Sequence, residues 1–187
     1  MVLKPAVEAD YPAIIDLANL AYRGTGSSAS WNIENFIEGQ RLNDSLLREE
    51  LAARPNAFLL TYRDDPDGPL LGTVFLDPVK GGIWYLGLLT IHPGMQQRKL
   101  GRALLAAAED FAKQRGAHQI HMTVINVRDV LIAWYERRGY TLTEETRPFP
   151  YGDERFGRPL REDLHFVVLQ KTLDRTDSLT RPTELDG

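Results

Sequence analysis

The chain has 187 residues, 43% of them apolar and 26% charged, with a formal net charge of −4 and no cysteine. That makeup suits one globular unit with a sizeable core, while the acidic balance excludes a general nucleic-acid binder, whose affinity needs many Lys and Arg acting together on phosphates. The missing cysteine excludes disulfides, Cys-based zinc sites and an acyl-cysteine intermediate, and no apolar run nears the ~18 residues of a membrane span, so the expectation is a cytoplasmic protein with no metal and no membrane partner.

Taken in chain order, residues 2–5 read as a short strand. Residues 10–21 place Ile14, Leu17, Ala18 and Ala21 on one helical stripe, with Asp10 as its cap and Pro12 in the first turn. After the turn-like GTGSSAS come WNIENFIEGQR and NDSLLREELAA, both read as helices beside a sheet, with Asn43 or Asp44 capping the second. Residues 57–62 and 70–76 are strands of a hairpin turned by RDDPDG, and Lys80, Gly81 and Gly82 turn a second hairpin. The next run, IWYLGLLTI at 83–91, is apolar at almost every position, as a strand covered on both faces is, which makes it the centre of the sheet. Leu100, Ala103, Leu104, Ala107 and Phe111 then recur at helical spacing, Ile120, Met122 and Val124 alternate as a strand, and Leu131, Trp134, Tyr135 and Arg138 mark another helix. Residues 140–146 and 164–173 read as the last strands, separated by a Pro- and Gly-interrupted loop. The polar tail, 174–187, has too little apolar surface to offset its ordering entropy, leaving residues 1–173 as the expected domain.

The stretch HPGMQQRKLGRALLAAAEDFAKQRG, beginning at His92, raises a physical problem. Arg98, Lys99 and Arg102 stand at the start of the helix, the end that already carries partial positive charge. Either they are solvated surface side chains, or they wait for an anion. A strand end turning directly into a helix aims unpaired backbone N–H groups at one spot, and a bound diphosphate converts the clustered cations into charge-assisted hydrogen bonds. The stretch contains neither GxxxxGK[ST] nor GxGxxG, so the phosphates of an ordinary nucleoside triphosphate or of NAD are not favoured.

With its flanks included, Ile91-x-Pro93-x-x-Gln96-x-x-Lys99-Leu100-Gly101 resembles the coenzyme A-binding motif of the GNAT superfamily of N-acetyltransferases, V-x-P-x-x-[QR]-x-x-G-x-[GA]. Lys99 stands where that form has its first glycine. A register shifted to Arg98-x-x-Gly101-x-Ala103 keeps the short pattern but loses the spacing from Ile91 and Pro93, so the Gln96 register is preferred. In it Lys99 gives its amide to a phosphate on condition that its side chain projects away and its φ need not be positive. The later segment VINVRDVLIAWYERRGY is similar to the family's helix carrying a Tyr shortly before Gly-aromatic, with Arg128 at the spacing of an Asn in many members and Asn126 two residues earlier. AYRG, YLGLLTI and PFP extend the likeness to a bacterial-type subgroup whose acceptors are often undefined.

The resemblance implies an α/β fold with a central mixed, mostly antiparallel sheet of six to seven strands flanked by helices, whose central strands splay to admit a pantetheine arm. Gly87 marks either the bulge that drives the splay or a point of close packing. It implies acetyl-CoA as donor and a primary amine, small or on a protein, as acceptor by direct attack in a ternary complex; the alternative is a noncatalytic acyl-CoA sensor on the same fold. Cofactor contacts fall on Leu89, Thr90, Ile91, Gln96, Gln97, Arg98, Lys99, Leu100, Gly101, Arg102 and Arg128, and Tyr135 becomes the general acid for the departing thiolate. The base stays open among Glu34, His92, His121 and water. Trp31, Glu34, Arg41 and Tyr85 are the acceptor-side candidates, with a stabilised surface helix pair as the other explanation for the first three. An exposed C-terminal edge strand would permit a homodimer.

Overall fold

In a computed structural model the described residues are 1–24, 30 and 33–173, without the side chains of Gln96 and Gln97. Trp31 and the tail 174–187 lie outside them. In order come β1 (Lys4–Pro5), α1 (Tyr11–Arg23), β2 (Ile37–Glu38), α2 (Asp44–Ala53), β3 (Phe58–Tyr62), β4 (Gly72–Lys80), β5 (Ile83–Ile91), α3 (Leu100–Lys113), β6 (Gln119–Ile125), α4 (Asp129–Glu136), β7 (Thr141–Pro148), β8 (Arg158–Pro159) and β9 (His165–Thr172). Seven strands form one sheet in the order β1-β3-β4-β5-β6-β9-β7, and β2 pairs with β8 apart from it. Every neighbouring pair is antiparallel except β5 and β6.

Strand alternation divides the core between the two faces of the sheet. Leu60, Val74, Leu76, Leu86, Ile120 and Met122 pack with Leu104, Leu105, Ala108 and Ala112 of α3. On the other face Leu59 and Phe75 meet Ile14, Leu17 and Ala18 of α1 and Leu46 and Leu47 of α2. The stripe expected on α1 is the one buried, whereas that of α3 is rotated: Leu104, Leu105, Ala108 and Ala112 are buried, and Ala103 is exposed. Five alanines blurred the pattern, because a side chain that small suits either face.

Local chemistry explains several boundaries. Asn43 caps α2 by accepting from the Leu46 N–H at 2.9 Å. Asp10 does not cap α1; its carboxylate accepts from the Val7 N–H and from Arg63, each at 2.9 Å. The described part, 33–41, of the first of the two segments expected as helices is instead an irregular chain carrying β2. Asn19 satisfies its backbone, accepting from the N–H groups of Arg41 at 2.7 Å and Leu42 at 3.1 Å and donating to the Leu42 carbonyl at 2.8 Å. Pairing with β8 completes the change, and Gly157 (φ +93) permits it, because a Cβ there would lie 2.5 Å from the Glu38 carbonyl oxygen. The C-terminal strand is not an edge: β9 lies between β6 and β7, and β7 is the exposed edge.

The feature that positions the site is the parting of β5 from β6. They pair only from Ile83 opposite Gln119 to Tyr85 opposite His121. Beyond that β5 bulges, since two steps on β4, from Thr73 to Phe75, face three on β5, from Gly87 to Thr90. The strained residue is Leu88, at φ +48, rather than Gly87. From Gly87 to Leu89 the strand is accordingly half-buried, not covered on both faces.

Candidate active site

Two cavities open through the parted strands. One, about 370 Å³, lies among β5, β6, α2, the 34–42 segment and the loop at 149–156; the other, about 380 Å³, is a groove along the end of β5 and the start of α3. Both are lined by Tyr22, Leu89, Arg128, Leu131 and Tyr135, so they meet at Tyr135.

The groove is built by the chain reversal after β5. That strand does not turn directly into α3: a 3-10 turn over Pro93–Arg98 intervenes, with His92 Nδ1 accepting from the Gly94 N–H at 3.2 Å. Lys99 then stands at φ +57, in the left-handed region, so the condition that its φ need not be positive fails; a lysine holds the conformation a glycine adopts without strain. α3 starts with no side-chain cap, which leaves its first N–H groups facing outward beside the groove. Leu89, Thr90, Ile91, Lys99, Gly101, Arg102 and Arg128 all line it; Leu100 does not. Arg98 turns away to Asp64 at 3.2 Å. Residues that sequence reasoning placed only in a helix complete the wall: Trp134 and Arg138, the Arg138 guanidinium 3.5 Å from the Trp134 ring centroid. Arg138 is pushed below its ordinary proton affinity by burial first, then by Arg137 and Arg102, the signature of a locally positive potential.

Four arginines, Arg23, Arg41, Arg54 and Arg128, line the other chamber together with Glu34 and Glu50. Glu34, 4% exposed, is clamped by Arg23 and by Arg128, the latter at 2.7 Å, with those side chains 10% and 8% exposed. The clamp ties the end of α1 to the start of α4. Arg41 lies over the Tyr22 ring, 5.2 Å from its centroid, and the Tyr85 hydroxyl is 3.2 Å from Thr123 Oγ1. Arg23 and Tyr22 were missed by sequence reasoning, although they follow directly on the α1 stripe and so had to emerge at its C-terminal end.

The other base candidates stand elsewhere. His92 serves its own turn, and His121 lines neither cavity, its Nε2 buried without a hydrogen-bond partner among the described residues. Asn126 fastens β6 to β9, accepting from the His165 N–H at 3.0 Å and donating to the Asp163 carbonyl at 3.1 Å. Tyr135 is 6% exposed. Burial raises its phenol well above the ordinary range, Tyr22 adds to this and Arg128 opposes it, so the hydroxyl stays protonated. No group of three or more metal-ligating side chains occurs among the described residues, and none of their helices is long and apolar enough to cross a membrane.

Residues 12–140 match the model of the Acetyltransferase (GNAT) family. The mycothiol acetyltransferase of Beutenbergia cavernae is 35% identical over 103 residues, 54% of this chain and 34% of that protein, so the chain spans about a third of that relative's length. An aminoglycoside 6'-N-acetyltransferase solved with coenzyme A superposes at a TM-score of 0.65 and 17% identity, covering 95% of this chain and all of that one. A GNAT family acetyltransferase of Elizabethkingia anophelis with acetyl-CoA bound gives 0.64 and 15%, covering 92% and 97%. At such identities the likeness is one of fold. The groove fits the ligand those two structures hold: apolar walls at Leu89, Ile91 and Trp134, an uncapped helix start, four cations (Lys99, Arg102, Arg128 and Arg138), and Gly101, where an added Cβ would meet only Trp134, at an ordinary 3.6 Å, and would otherwise fill the cradle. Motif, parted strands and matched residues together place this chain in the Acetyltransferase (GNAT) family.

Proposed function

We propose that the protein transfers acetyl from acetyl-CoA to a primary amine by direct attack within a ternary complex, with residues 1–173 acting as one catalytic domain. The observation that carries this reading is the place of Tyr135, a protonated phenol at the junction of the two cavities. When bound, acetyl-CoA supplies the thioester carbonyl. The amides and cations from Lys99 to Arg102 hold the diphosphate, and the open stretch of β5 from Leu89 to Ile91 hydrogen-bonds the pantetheine arm as a further strand. The parting from β6 leaves this backbone with hydrogen-bonding groups to offer.

The amine nitrogen bonds to the acetyl carbon, the carbon–sulfur bond breaks, the surplus amine proton leaves to water, and sulfur is protonated. Tyr135 donates its hydroxyl hydrogen towards that sulfur. A phenol whose pKa lies above that of a thiol, ~8.5, assists chiefly by hydrogen bonding to the developing charge, and it regains any proton given up. Glu34 is a positioning residue here rather than a base: both its oxygens already receive guanidinium donors. Arg128 acts through the same clamp, holding the rim shared by groove and chamber. The relatives' names cover acceptors as unlike as mycothiol and an aminoglycoside, so the acceptor has to be read from this chamber itself.

The test is release of coenzyme A by the purified chain with acetyl-CoA and a panel of neutral, acidic and polycationic primary amines. Acceptor-dependent release with the matching N-acetyl product is expected. Tight acetyl-CoA binding without turnover on any amine would instead favour an acyl-CoA sensor.

A further inference from the structure

Outside the groove, three guanidinium groups gather without an anion between them. An open cleft of about 500 Å³ lies between α3 and the end of α4, and Arg102 and Arg138 line both it and the groove. The other charged side chains of the cleft are Arg137, Lys171 and Glu109. The last two are committed to each other: Lys171 Nζ lies 2.6 Å from one Glu109 oxygen, and the Tyr140 hydroxyl donates to the other at 2.9 Å. Arg102, Arg137 and Arg138 form no ion pair with any carboxylate among the described residues. Arg138 is partly accounted for by the negative end of α4, since its Nη1 donates to the Trp134 carbonyl at 2.5 Å, but its Nε is buried without a partner. Arg102 stands in the first turn of α3, where helix polarity opposes a cation. Burial, then Arg137 and Arg102, hold Arg138 below its ordinary proton affinity, with no carboxylate acting against them.

We infer that Arg137 and Arg138, with Arg102 at the junction, grip the 3′-phosphate of the coenzyme A ribose, so that the protein distinguishes the full carrier from one lacking that phosphate. This rests on the acetyltransferase reading and assigns the third phosphate of its donor. Coenzyme A carries a diphosphate on the 5′ oxygen of its ribose and a monophosphate on the 3′ oxygen of the same sugar. With the diphosphate on the first turn of α3, the monophosphate falls one ribose further on, within reach of a cleft that shares two arginines with the groove. A phosphate monoester is close to a dianion at neutral pH and has three strong acceptor oxygens, enough for two guanidinium forks. Occupying the cleft turns the mutual repulsion of the arginines into charge-assisted hydrogen bonds.

The experiment titrates the full chain by calorimetry at low salt with coenzyme A, with dephospho-coenzyme A, which lacks the 3′-phosphate, and with inorganic phosphate. Coenzyme A should bind at least about tenfold more tightly than the dephospho form, and the margin should shrink as salt is raised, because Arg102 and Arg137 are exposed. Arg137→Gln should weaken coenzyme A about fivefold and leave the dephospho form within about twofold, while Arg137→Lys keeps part of the margin. The Arg137 side chain has no hydrogen bond or ion pair among the described residues to lose, and the wild-type comparison suffices should the variant fold poorly. Equal loss of both carriers in Arg137→Gln overturns the inference. Inorganic phosphate should give no heat at concentrations that saturate with coenzyme A; phosphate bound as tightly as coenzyme A would make the cleft a site for the free anion and would also overturn it. If neither carrier binds, the acetyltransferase reading fails; if both bind equally well, only the inference about the third phosphate fails.

Discussion

The groove and the acceptor chamber share Tyr135 and Arg128 but are made of different material. One side of the groove is a single continuous run, the end of β5 through the first turn of α3, which offers mostly backbone, a bulged strand, a left-handed residue and an uncapped helix start, while side chains of α1 and α4 wall the other. The chamber collects side chains from α1, the 34–42 segment, α2, β5, β6, α4 and the loop at 149–156. Backbone donors can serve one ligand in any sequence that keeps the turn, whereas a wall of distant side chains is free to change with the acceptor. The difference teaches that cofactor use is encoded locally and acceptor choice by assembly.

Substitutions at four positions probe that contrast, beginning with the largest effect. Glu34→Ala leaves two nearly buried guanidinium groups without their shared anion, and should cost ~3–5 kcal/mol in denaturant unfolding; a loss under ~1 kcal/mol would mean that water already compensates the clamp. Tyr135→Phe should lower kcat on the order of a hundredfold while leaving acetyl-CoA affinity within about twofold. Because burial holds the phenol protonated, the wild-type kcat profile should rise with deprotonation of the acceptor amine and show no tyrosine limb below about pH 10. An unchanged profile and rate in the phenylalanine variant would remove Tyr135 from the chemistry.

Gly101→Ala separates cofactor from fold. The added methyl contacts Trp134 at an ordinary 3.6 Å, so the variant should be as stable as wild type or gain up to ~1 kcal/mol from helix propensity, yet bind coenzyme A about tenfold more weakly by isothermal calorimetry. Weakened folding instead of weakened binding would reverse the assignment. The smallest effect is expected at Lys99→Gly, which relieves left-handed strain of roughly 1 kcal/mol and should raise the thermal midpoint, with coenzyme A affinity kept within about threefold if the amide rather than the ammonium carries the contact. A tenfold loss there would show that the groove also relies on side chains, and the contrast would soften.

Much of the frame was legible before any coordinates. The hairpins, the central strand at 83–91, the α1 stripe and the helix after Lys99 announce themselves through turn residues and periodicity. Other points were not legible, for identifiable reasons. The 33–42 segment has apolar residues compatible with a helix, but a side chain twenty-two positions upstream, Asn19, satisfies the Arg41 amide, and β8 supplies the pairing for Ile37 and Glu38. The C-terminal strand looked like an edge because it comes last in the chain; β7, formed earlier, takes the edge and β9 inserts beside β6. Arg98 looked like a phosphate ligand by its position in the motif, and a carboxylate thirty-four residues away, Asp64, engages it.

By itself the sequence determined what depends on neighbours along the chain: which runs become strands or helices, where the chain reverses, and that one reversal concentrates amides and cations suited to a diphosphate. Tertiary structure decided what depends on contacts between distant residues: that the bulge strains Leu88, that Glu34 is held between Arg23 and Arg128, and that Arg41 lines the chamber over the Tyr22 ring. Periodicity and turn preference act over a few residues and leave their mark in local spelling. Ion pairing and cavity shape are set by distances in space, and no spacing along the chain prescribes them.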